Sequence, residues 1–235
     1  MRLIVELEAT ENHEYTSITN IELQGTFYNL LKDTRFHNLH DGNGFKFFTF
    51  SNLYPPTNYK KRQSKQWIVS SPNKKLIKTL YYRLKTLDSL RLSKYILKIK
   101  SVENVKFSKN KLNTLKTNTP IVLYKNNEDY TYFSMDQGDL DFFFSRIKDN
   151  ALKKYNAFYN DEYSFEGPLF DSFSFYKEVA HSLQAKTHRF LVIGTLWNEL
   201  KAIITKENEK FYNFIYETGL GEKNGLGYGL LSSVI

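Results

Sequence analysis

Apolar and polar positions follow two different periods along the first hundred residues. Residues 2–8 alternate one by one, which is the pattern of a half-buried β-strand. Residues 23–31 carry apolar side chains at the spacing of one helix face, on Leu23, Phe27, Leu30 and Leu31. Further strands are predicted at 45–53, 67–70 and 91–100, and a second helix begins at Ser71-Pro72. The order β-α-β-β-α-β predicts a ferredoxin-like α+β domain, the arrangement that RNA-recognition modules also use.

The pattern of the second half is weaker. Residues 108–118 are polar and rich in Lys and Asn, which predicts a linker between a domain over 1–107 and a domain over 119–235. Beyond the linker the pattern predicts a hairpin of 121–124 with 130–133, a helix over 136–157, strands over 173–179 and 189–193, and a helix over 207–217. Residues 195–204 fit a helix and a strand equally well, and no internal sequence repeat is visible.

Composition excludes several classes of protein. The 235 residues are 41% hydrophobic, which is enough for one large core or two small ones. The chain has no cysteine, which excludes disulfide frameworks, thiolate zinc sites and cysteine nucleophiles. The first residues alternate rather than forming an apolar run, and no stretch is apolar enough to span a bilayer. We therefore expect a cytoplasmic protein with no membrane segment.

The net charge of +8 is spread unevenly. Residues 42–100 hold 14 basic side chains and one acidic side chain, whereas residues 1–41 and 128–178 are net acidic. One interpretation is a solvated, lysine-rich surface, and the other is a face that binds a polyanion. Aromatic side chains that could stack on exposed bases are interleaved with these charges, at Tyr54, Tyr59, Trp67, Tyr81 and Tyr82. Charge alone leaves both interpretations open.

A glycine-rich segment follows the last predicted helix. Five of the eleven residues from 219 to 229 are glycine, which suits neither a helix nor a strand. The segment lacks the features of a dinucleotide fingerprint and of a phosphate-binding P-loop. A flexible hairpin and a loop whose backbone N–H groups face an anion both fit this composition.

These stretches resemble the RAMP superfamily, and in particular the CRISPR repeat-processing endoribonucleases that cut precursor CRISPR RNA. At the C-terminal end, the similar feature is the glycine–hydrophobic–glycine pattern on both sides of Lys223-Asn224. Further similar stretches are Met1–Val5, Gly25–Leu31, Leu39-His40 and Gly44–Ser51. The resemblance covers essentially the full length and is weak from about 100 to 190. It implies two tandem ferredoxin-like (RRM-like, βαββαβ) domains with a C-terminal glycine-rich loop and a basic groove along one face.

The resemblance implies an RNA-cleaving reaction that needs neither a metal nor a cofactor. The ribose 2′-OH beside the scissile phosphate is the nucleophile, and the products are a 2′,3′-cyclic phosphate and a 5′-OH. Such an enzyme takes a proton from the 2′-OH, gives one to the leaving 5′-oxygen and stabilises charge on the phosphorane.

Three positions match the family's active site, which has a Tyr in the first helix, a His after it and a Lys beyond the turn. In this sequence they are Tyr28, His40 and Lys46. His40 is the implied general acid or base, Lys46 the balancing charge, and Tyr28 the group that positions the 2′-OH or shares in proton transfer. His37 is a second candidate for the catalytic histidine, and His13, in a polar loop, is a third.

The implied partner is CRISPR repeat RNA, either single-stranded or a hairpin. Subunits of a CRISPR effector complex and a second copy of the chain are left open as further partners. Residues expected to contact RNA are Gly221, Lys223, Gly225, Gly227, Lys186, His188, Arg189 and a basic flap of Lys60, Lys61, Arg62 and Lys65.

Three alternatives stay open. The first is a non-cleaving member of the family that binds repeat RNA or carries guide RNA. The second is a metal-dependent nuclease that uses Asp136, Asp139 and Asp141, although their spacing fits a solvated helix face better. The third is an unrelated single-strand binder.

Overall fold

The chain forms two compact α+β units. The computed structural model describes residues 1–42, 44–105, 113–126, 131–136, 138–184 and 189–234. The first unit contains Met1–Phe107 together with Gly225–Gly227, and the second contains Ser108–Asn224 and Tyr228–Ile235. A short segment near the C-terminal end of the chain is therefore part of the first unit.

The first unit is a five-stranded antiparallel sheet with two helices. Its elements are β1 (Arg2–Ala9), α1 (Asn20–Leu31), β2 (Thr49–Phe50), β3 (Ser64–Ser70), α2 (Lys74–Lys85), β4 (Ser89–Leu92) and β5 (Tyr95–Val105). The strand order is β2-β3-β1-β5-β4, and every pair is antiparallel. Without β4 this is the strand order of a ferredoxin-like fold, and β4 adds an edge strand as a hairpin with β5.

Alternation along β1 and helical spacing along α1 build the core of the first unit. Leu3, Val5 and Leu7 are fully buried. The stripe predicted on α1 is also buried, and α2 buries Leu76, Ile77, Leu80 and Leu84. A capping box begins α1. The Thr19 side chain accepts a hydrogen bond from a backbone N–H of the first turn, and the Glu22 carboxylate accepts one from the Thr19 backbone N–H. Asn73 caps α2.

The second unit repeats the topology. Its elements are β6 (Thr114–Thr117), β7 (Tyr124–Asn126), β8 (Thr131–Tyr132), α3 (Leu140–Tyr159), β9 (Ser172–Gln184), β10 (Arg189–Lys201), α4 (Glu209–Thr218) and β11 (Leu231–Ser233). β7 and β8 form a separate ribbon, and the main sheet has the order β11-β6-β10-β9. Outside the ribbon the order is β-α-β-β-α-β. The prediction of two tandem ferredoxin-like domains is confirmed.

Aromatic packing dominates the core of the second unit. Phe143 of α3 stacks on Trp197 of β10 at 5.4 Å between ring centroids. Phe211 of α4 meets Tyr155 of α3 edge to face, and both rings are buried. In the described parts of the chain, no helix has the length and apolar character that a membrane span requires.

The strand predicted over 45–53 is much shorter in the structure. Only Thr49 and Phe50 pair with β3, opposite Ser70 and Val69. Residues 45–48 form no strand, although Phe48 is buried in the core. Within this run, Phe48 therefore serves core packing rather than sheet pairing, and Phe45 is exposed. The start of α2 also differs, because its cap is Asn73 while the Ser71 hydroxyl donates to the Phe47 carbonyl.

Two predictions for the second half need correction. The predicted linker over 108–118 contains β6, which pairs with both β10 and β11. Its one buried apolar residue, Leu115, is too little to signal a strand in the sequence. The ambiguous run over 195–204 is strand up to Lys201, because β10 pairs with β9 along its length. Residues 127–130, which include most of the turn predicted at 126–129, lie outside the described residues.

Candidate functional site

One face of α1 carries three polar side chains, one turn apart, at Asn20, Gln24 and Tyr28. The Asn20 side-chain amide donates to the Leu226 carbonyl at 2.8 Å. The Gln24 amide donates to the Gly225 carbonyl at 2.7 Å. This face of α1 therefore holds the segment Gly225–Gly227 by two hydrogen bonds, and Tyr28 continues the same face.

Tyr28 contacts His40. Their ring centroids lie 4.9 Å apart with the planes at 84°, an edge-to-face contact. Tyr28 also packs edge to face on Phe48, at 6.0 Å. Burial raises the pKa of Tyr28 to about 12, so its hydroxyl keeps its proton at neutral pH. Tyr28 can therefore donate a hydrogen bond but is unsuited to act as a base.

His40 presents its ring to solvent beside a carboxylate. Its Nδ1 lies 3.2 Å from Oδ1 of Asp41, and the two side chains are 67% and 74% exposed. A carboxylate at Nδ1 orients an imidazole and leaves Nε2 to exchange a proton. Asp41 was not among the residues predicted from the sequence, since a lone Asp in a glycine-containing turn carries no distinct signal.

Lys46 fixes the turn that carries His40. Its ammonium donates to three backbone carbonyls, those of Leu39 at 2.7 Å, His40 at 3.3 Å and Gly42 at 2.6 Å. Burial lowers the pKa of Lys46, and the carboxylate of Asp41 opposes that effect. The stem of Lys46 packs on Gly225, where a Cβ would lie 3.0 Å from Lys46 Cγ.

The structure thus brings together Tyr28, His40 and Lys46. The other two candidate histidines have other surroundings. His37 Nδ1 lies 2.9 Å from the Thr34 carbonyl. The ring of His13 is stacked between Tyr59 and Tyr95, with centroids 3.9 Å away on each side, and burial lowers its pKa. Both faces of the His13 ring are therefore covered, and its place as the third candidate for the catalytic histidine stays a prediction.

The glycine-rich segment is packed rather than free. Gly221, Gly225 and Gly227 are buried, and residues 224–226 form a short 3₁₀ turn. Gly227 has a φ of +83°, and a Cβ there would lie 2.5 Å from the Phe50 ring. Packing within the protein therefore explains why these positions are glycine. Their contact with RNA stays a prediction, and the alternative of a flexible hairpin is wrong.

A buried lysine that the sequence did not reveal supports this segment. Lys154 of α3 donates to the Gly221 carbonyl at 2.7 Å, to Asn224 Oδ1 at 2.6 Å and to the Gly219 carbonyl at 3.3 Å. Asn224 in turn donates to the carbonyls of Leu220 and Tyr228. In the sequence Lys154 stands beside another lysine on a helix, so its pattern is that of a solvated face.

The residues expected to bind RNA differ in their exposure and in their contacts. Lys60, Lys61 and Arg62 are exposed on the loop before β3, and Arg189 is exposed at the start of β10. Lys223 is half-buried, with its ammonium 5.3 Å from the centre of the Tyr124 ring. Lys186 and His188 lie outside the described residues.

The prediction that Lys65 belongs to the basic flap is wrong. Its side chain is buried, and its ammonium donates to the carbonyls of Pro55 and Thr57. A surface prediction failed because Lys65 sits on the inner face of β3 and its long stem crosses the core to reach these carbonyls. Asp139, offered as a metal ligand in one alternative, caps α3 by accepting the backbone N–H of Asp141.

Two ferredoxin-like units in tandem, with a packed glycine-rich segment at the end, are the architecture that the resemblance to the RAMP superfamily implied. Residues 101–233 match the family described as CRISPR associated protein Cas6, C-terminal. The chain is 39% identical over 242 residues to the CRISPR-associated endoribonuclease Cas6 2 of Methanocaldococcus jannaschii, and the match covers 100% of both chains. The chain therefore belongs to the Cas6 family, as the sequence resemblance implied.

Solved structures agree with this assignment. One described as CRISPR associated protein Cas6 has a TM-score of 0.74 at 24% identity and covers 100% of this chain and 99% of its own. Another, described as a RAMP protein binding different RNA substrates, has a TM-score of 0.70 at 17% identity and covers 100% of both chains. These two structures share the fold of this chain.

Proposed function

We propose that this chain is an endoribonuclease that cuts precursor CRISPR RNA within its repeats, without a metal ion. The observation that carries the proposal is the contact of His40 with Tyr28 on a turn that Lys46 holds in place. Membership of a family with a relative named as an endoribonuclease supports it.

The chemistry follows from the groups present. The ribose 2′-oxygen attacks the adjacent phosphorus, the bond from phosphorus to the 5′-oxygen breaks, and a 2′,3′-cyclic phosphate and a 5′-OH result. His40 is the group that transfers a proton, either from the 2′-OH or to the leaving oxygen. Tyr28 donates a hydrogen bond to a reacting oxygen, which suits a hydroxyl that stays protonated.

Lys46 acts chiefly as a positioning residue for His40. Its ammonium bonds the carbonyl of His40 and those of two neighbours, so its replacement releases the turn. Its charge stays close to the site and favours an anionic phosphorane. Lys46→Arg is expected to restore part of the charge effect but not the geometry, so kcat should stay low while KM recovers relative to Lys46→Ala.

Repeat RNA is the proposed partner. Lys60, Lys61, Arg62 and Arg189 are exposed cations that can bind phosphates, and Lys223 lies within the glycine-rich segment. The prediction of Gly221, Gly225 and Gly227 as RNA contacts is kept in a narrower form. Gly225 and Gly227 lie in the segment that packs in the first unit, Gly221 belongs to the second unit, and any contact of the three with RNA is through their backbone.

Cleavage of the host's own repeat RNA in EDTA tests the proposal. A single 2′-deoxy substitution is walked along the strand. We expect one cut site, loss of cutting only when the deoxyribose lies 5′ of the scissile phosphate, and a cyclic phosphate end. Cutting that needs added metal, or that continues with the deoxyribose at that position, contradicts the mechanism. Binding without products supports the non-cleaving RNA carrier instead.

Histidine variants test the assignment of residues. His40→Ala is expected to lower the cleavage rate about 10²- to 10⁴-fold, the usual contribution of general acid–base catalysis, with RNA affinity unchanged. His37→Ala is the matched control, because His37 is also exposed and lies three residues away. Loss of cleavage in His37→Ala with normal cleavage in His40→Ala would reverse the assignment.

A further inference from the structure

The outer face of α2 carries positive charge that the candidate site does not use. Five of the 12 residues of α2 are Lys or Arg and none is acidic. The exposed side chains are Lys74, Lys75, Lys78, Tyr82, Arg83 and Lys85. The opposite face packs four apolar residues into the core. Among the described α-helices, α2 is the one without a carboxylate.

Four of these side chains form a line, which we call the α2 strip: Lys74, Lys78, Tyr82 and Lys85. Their spacing of i, i+4, i+8 and i+11 places them on one face of the helix. The strip is about 16 Å long at the rise of an α-helix. Tyr82 is 66% exposed in its middle. In the described part of the chain, no ion pair involves the strip.

The charge at the start of α2 works against the stability of the helix. Lys74 and Lys75 occupy the first turn, which holds no acidic residue. The N-terminal end of a helix dipole is positive, so cations there are unfavourable. Neither residue is needed for the cap, which Asn73 provides. Positive charge placed where it harms folding raises the local potential for an anion.

The open face of the sheet in the first unit has mixed charge. Glu6 and Glu8 lie on it, and Lys100 pairs with Glu8 at 3.4 Å. Of the basic residues between 42 and 100, Lys46 and Lys65 are engaged with backbone carbonyls inside the unit. Together with the exposed loop of Lys60, Lys61 and Arg62, the α2 strip is therefore a surface on which the basic charge of this segment is concentrated, and α2 itself has no carboxylate.

The C-terminal end of α2 contacts the end of α1. Arg83, which lies beside the strip, donates to the carbonyl of Lys32 at 3.2 Å. Lys32 follows Tyr28 by one helical turn, directly after α1. The helix that carries the strip is thus bonded to the end of the helix that carries Tyr28.

We propose that the α2 strip binds the sugar–phosphate backbone of the RNA outside the segment that is cut. The lysines meet phosphates, and Tyr82 stacks on a base, as aromatic residues do in single-strand binding surfaces. The inference rests on the proposed function, because it takes RNA as the substrate. Such contacts are independent of sequence and add affinity without taking part in the cleavage step.

A pair of neutralised variants tests the strip. Lys74→Gln/Lys78→Gln is compared with Lys94→Gln/Lys98→Gln, which removes the same charge from exposed positions of the same unit. The probes are the non-cleavable 2′-deoxy repeat RNA and oligouridine, each over a series of salt concentrations. For the α2 pair, we expect affinity to fall about tenfold and the slope of log K against log salt to lose about 1.4. The control pair should stay within about twofold.

One charge-reversal variant separates an effect on RNA binding from an effect on folding. Lys74→Glu places a carboxylate at the positive end of the dipole, so we expect the Tm to rise and the affinity for both RNAs to fall. A rise in Tm with unchanged affinity overturns the inference, and so does an equal loss of affinity in the control pair.

The two proposals fail differently. If repeat RNA is not cut but the α2 pair still weakens oligouridine binding, the proposed nuclease function fails and the α2 strip stands as an RNA-binding surface. If the repeat is cut at the wild-type rate and both α2 variants bind both RNAs normally, the strip fails and the nuclease function stands.

Discussion

Lys154 shows how one side chain can decide the conformation of a distant segment. Its ammonium has three N–H donors, and three oxygens of residues 219–224 accept them. Two of those oxygens are the backbone carbonyls of Gly219 and Gly221, which have no side chain that could donate a hydrogen bond. The position of the glycine-rich segment in the second unit therefore depends on a charge buried in α3.

Replacing Lys154 by Met should destabilise the protein by about 3 kcal/mol, because buried acceptors lose their charged donor. Methionine keeps the stem, so the loss reflects hydrogen bonding rather than volume. Denaturant unfolding followed by tryptophan fluorescence measures the effect. Lys153→Met is the control, since Lys153 is exposed on the same helix. Equal stability of the two variants would contradict this role.

The same residue makes stability depend on pH. Burial lowers the pKa of Lys154 to about 7 from 10.5, and Glu222 partly opposes the shift. Between these values the unfolded chain holds a proton that the folded chain lacks, so unfolding takes up a proton. The free energy of unfolding of the wild type should therefore rise with pH from about 7 toward 10.5, and Lys154 should add no slope below pH 7, where both states hold the proton. In Lys154→Met this part of the slope should disappear.

A variant of Tyr28 tests whether its hydroxyl acts as a hydrogen-bond donor or as a base. Tyr28→Phe keeps the ring contacts with His40 and Phe48 and removes only the hydroxyl. We expect the Tm to be unchanged and kcat to fall about tenfold, the equivalent of one hydrogen bond to a reacting group. Because burial raises the pKa of Tyr28 to about 12, the cleavage rate should show no loss from its ionisation below about pH 10. Wild-type kcat in Tyr28→Phe would remove Tyr28 from the site.

At the scale of elements, the two faces of α1 make different contacts. Its apolar stripe is buried in the core, and its polar face holds Gly225 and Leu226 by side-chain amides. The side chains of Asn20 and Gln24 were not predicted as part of the site, because an amide on a helix is usually solvated. Only the folded chain shows that their partners lie about two hundred residues away in sequence.

Gly225 links the glycine-rich segment to the site. Gly225→Ala places a methyl 3.0 Å from Cγ of Lys46, so the lysine must move and the turn of His40 moves with it. We expect kcat to fall at least tenfold with little change in RNA affinity, since a small misplacement of reacting groups has a large effect on rate. Single-turnover cleavage measures the effect on rate, and a binding assay measures the effect on RNA affinity.

The matched control is Gly25→Ala, on α1. A Cβ at Gly25 meets nothing within 4 Å, and alanine favours a helix by about 1 kcal/mol over glycine. Gly25→Ala should be more stable and fully active. If both variants cut at the wild-type rate, Gly225 has no role in positioning Lys46.

The elements themselves were predictable where apolar spacing was long and regular. β1, α1 and the buried face of α2 follow from periodicity alone, because each buries one face against a core. β6 did not follow from the pattern, and the strand predicted over 45–53 is much longer than β2. β6 has a single buried apolar side chain, and of residues 45–48 only Phe48 is buried, while Phe45 is exposed. Only tertiary contacts decide such segments.

At the scale of the molecule, the two units differ in charge. The first holds 18 basic and 9 acidic side chains, a net of +9, and the second holds 15 and 16, a net of −1. The basic pI of the chain is thus a property of one unit. RNA attraction over long range should therefore arise from the first unit, and the second should contribute local contacts such as Arg189.

Salt should then act on binding and leave the cleavage step unchanged. Raising salt about fourfold should raise KM for repeat RNA at least tenfold, because each phosphate contact releases counterions. The value of kcat should stay constant, since Lys46, His40 and Tyr28 act at contact distance. Steady-state cleavage at several salt concentrations checks this. A fall in kcat with constant KM would show that electrostatics acts on the catalytic groups.

The family resemblance pointed to three candidate site residues but not to what each one contacts. These are Tyr28, His40 and Lys46, which lie together in the structure, and their roles in cleavage stay a prediction. The resemblance did not show that Lys46 is bonded to carbonyls, that Asp41 lies at Nδ1 of His40, or that Lys65 is buried. A lysine has the same pattern in a sequence whether its amine faces water or a buried carbonyl.

The membership of Gly225–Gly227 in the first unit sets an order of events during translation. The ribosome completes residues 1–107 early, yet Asn20, Gln24 and the stem of Lys46 meet their partners only when residue 227 has left the exit tunnel. A nascent or prematurely terminated chain therefore carries the three site residues without the segment that packs against them. On the proposed function, a chain that ends before residue 225 should cut repeat RNA more slowly than the full chain, because Lys46 lacks its contact with Gly225.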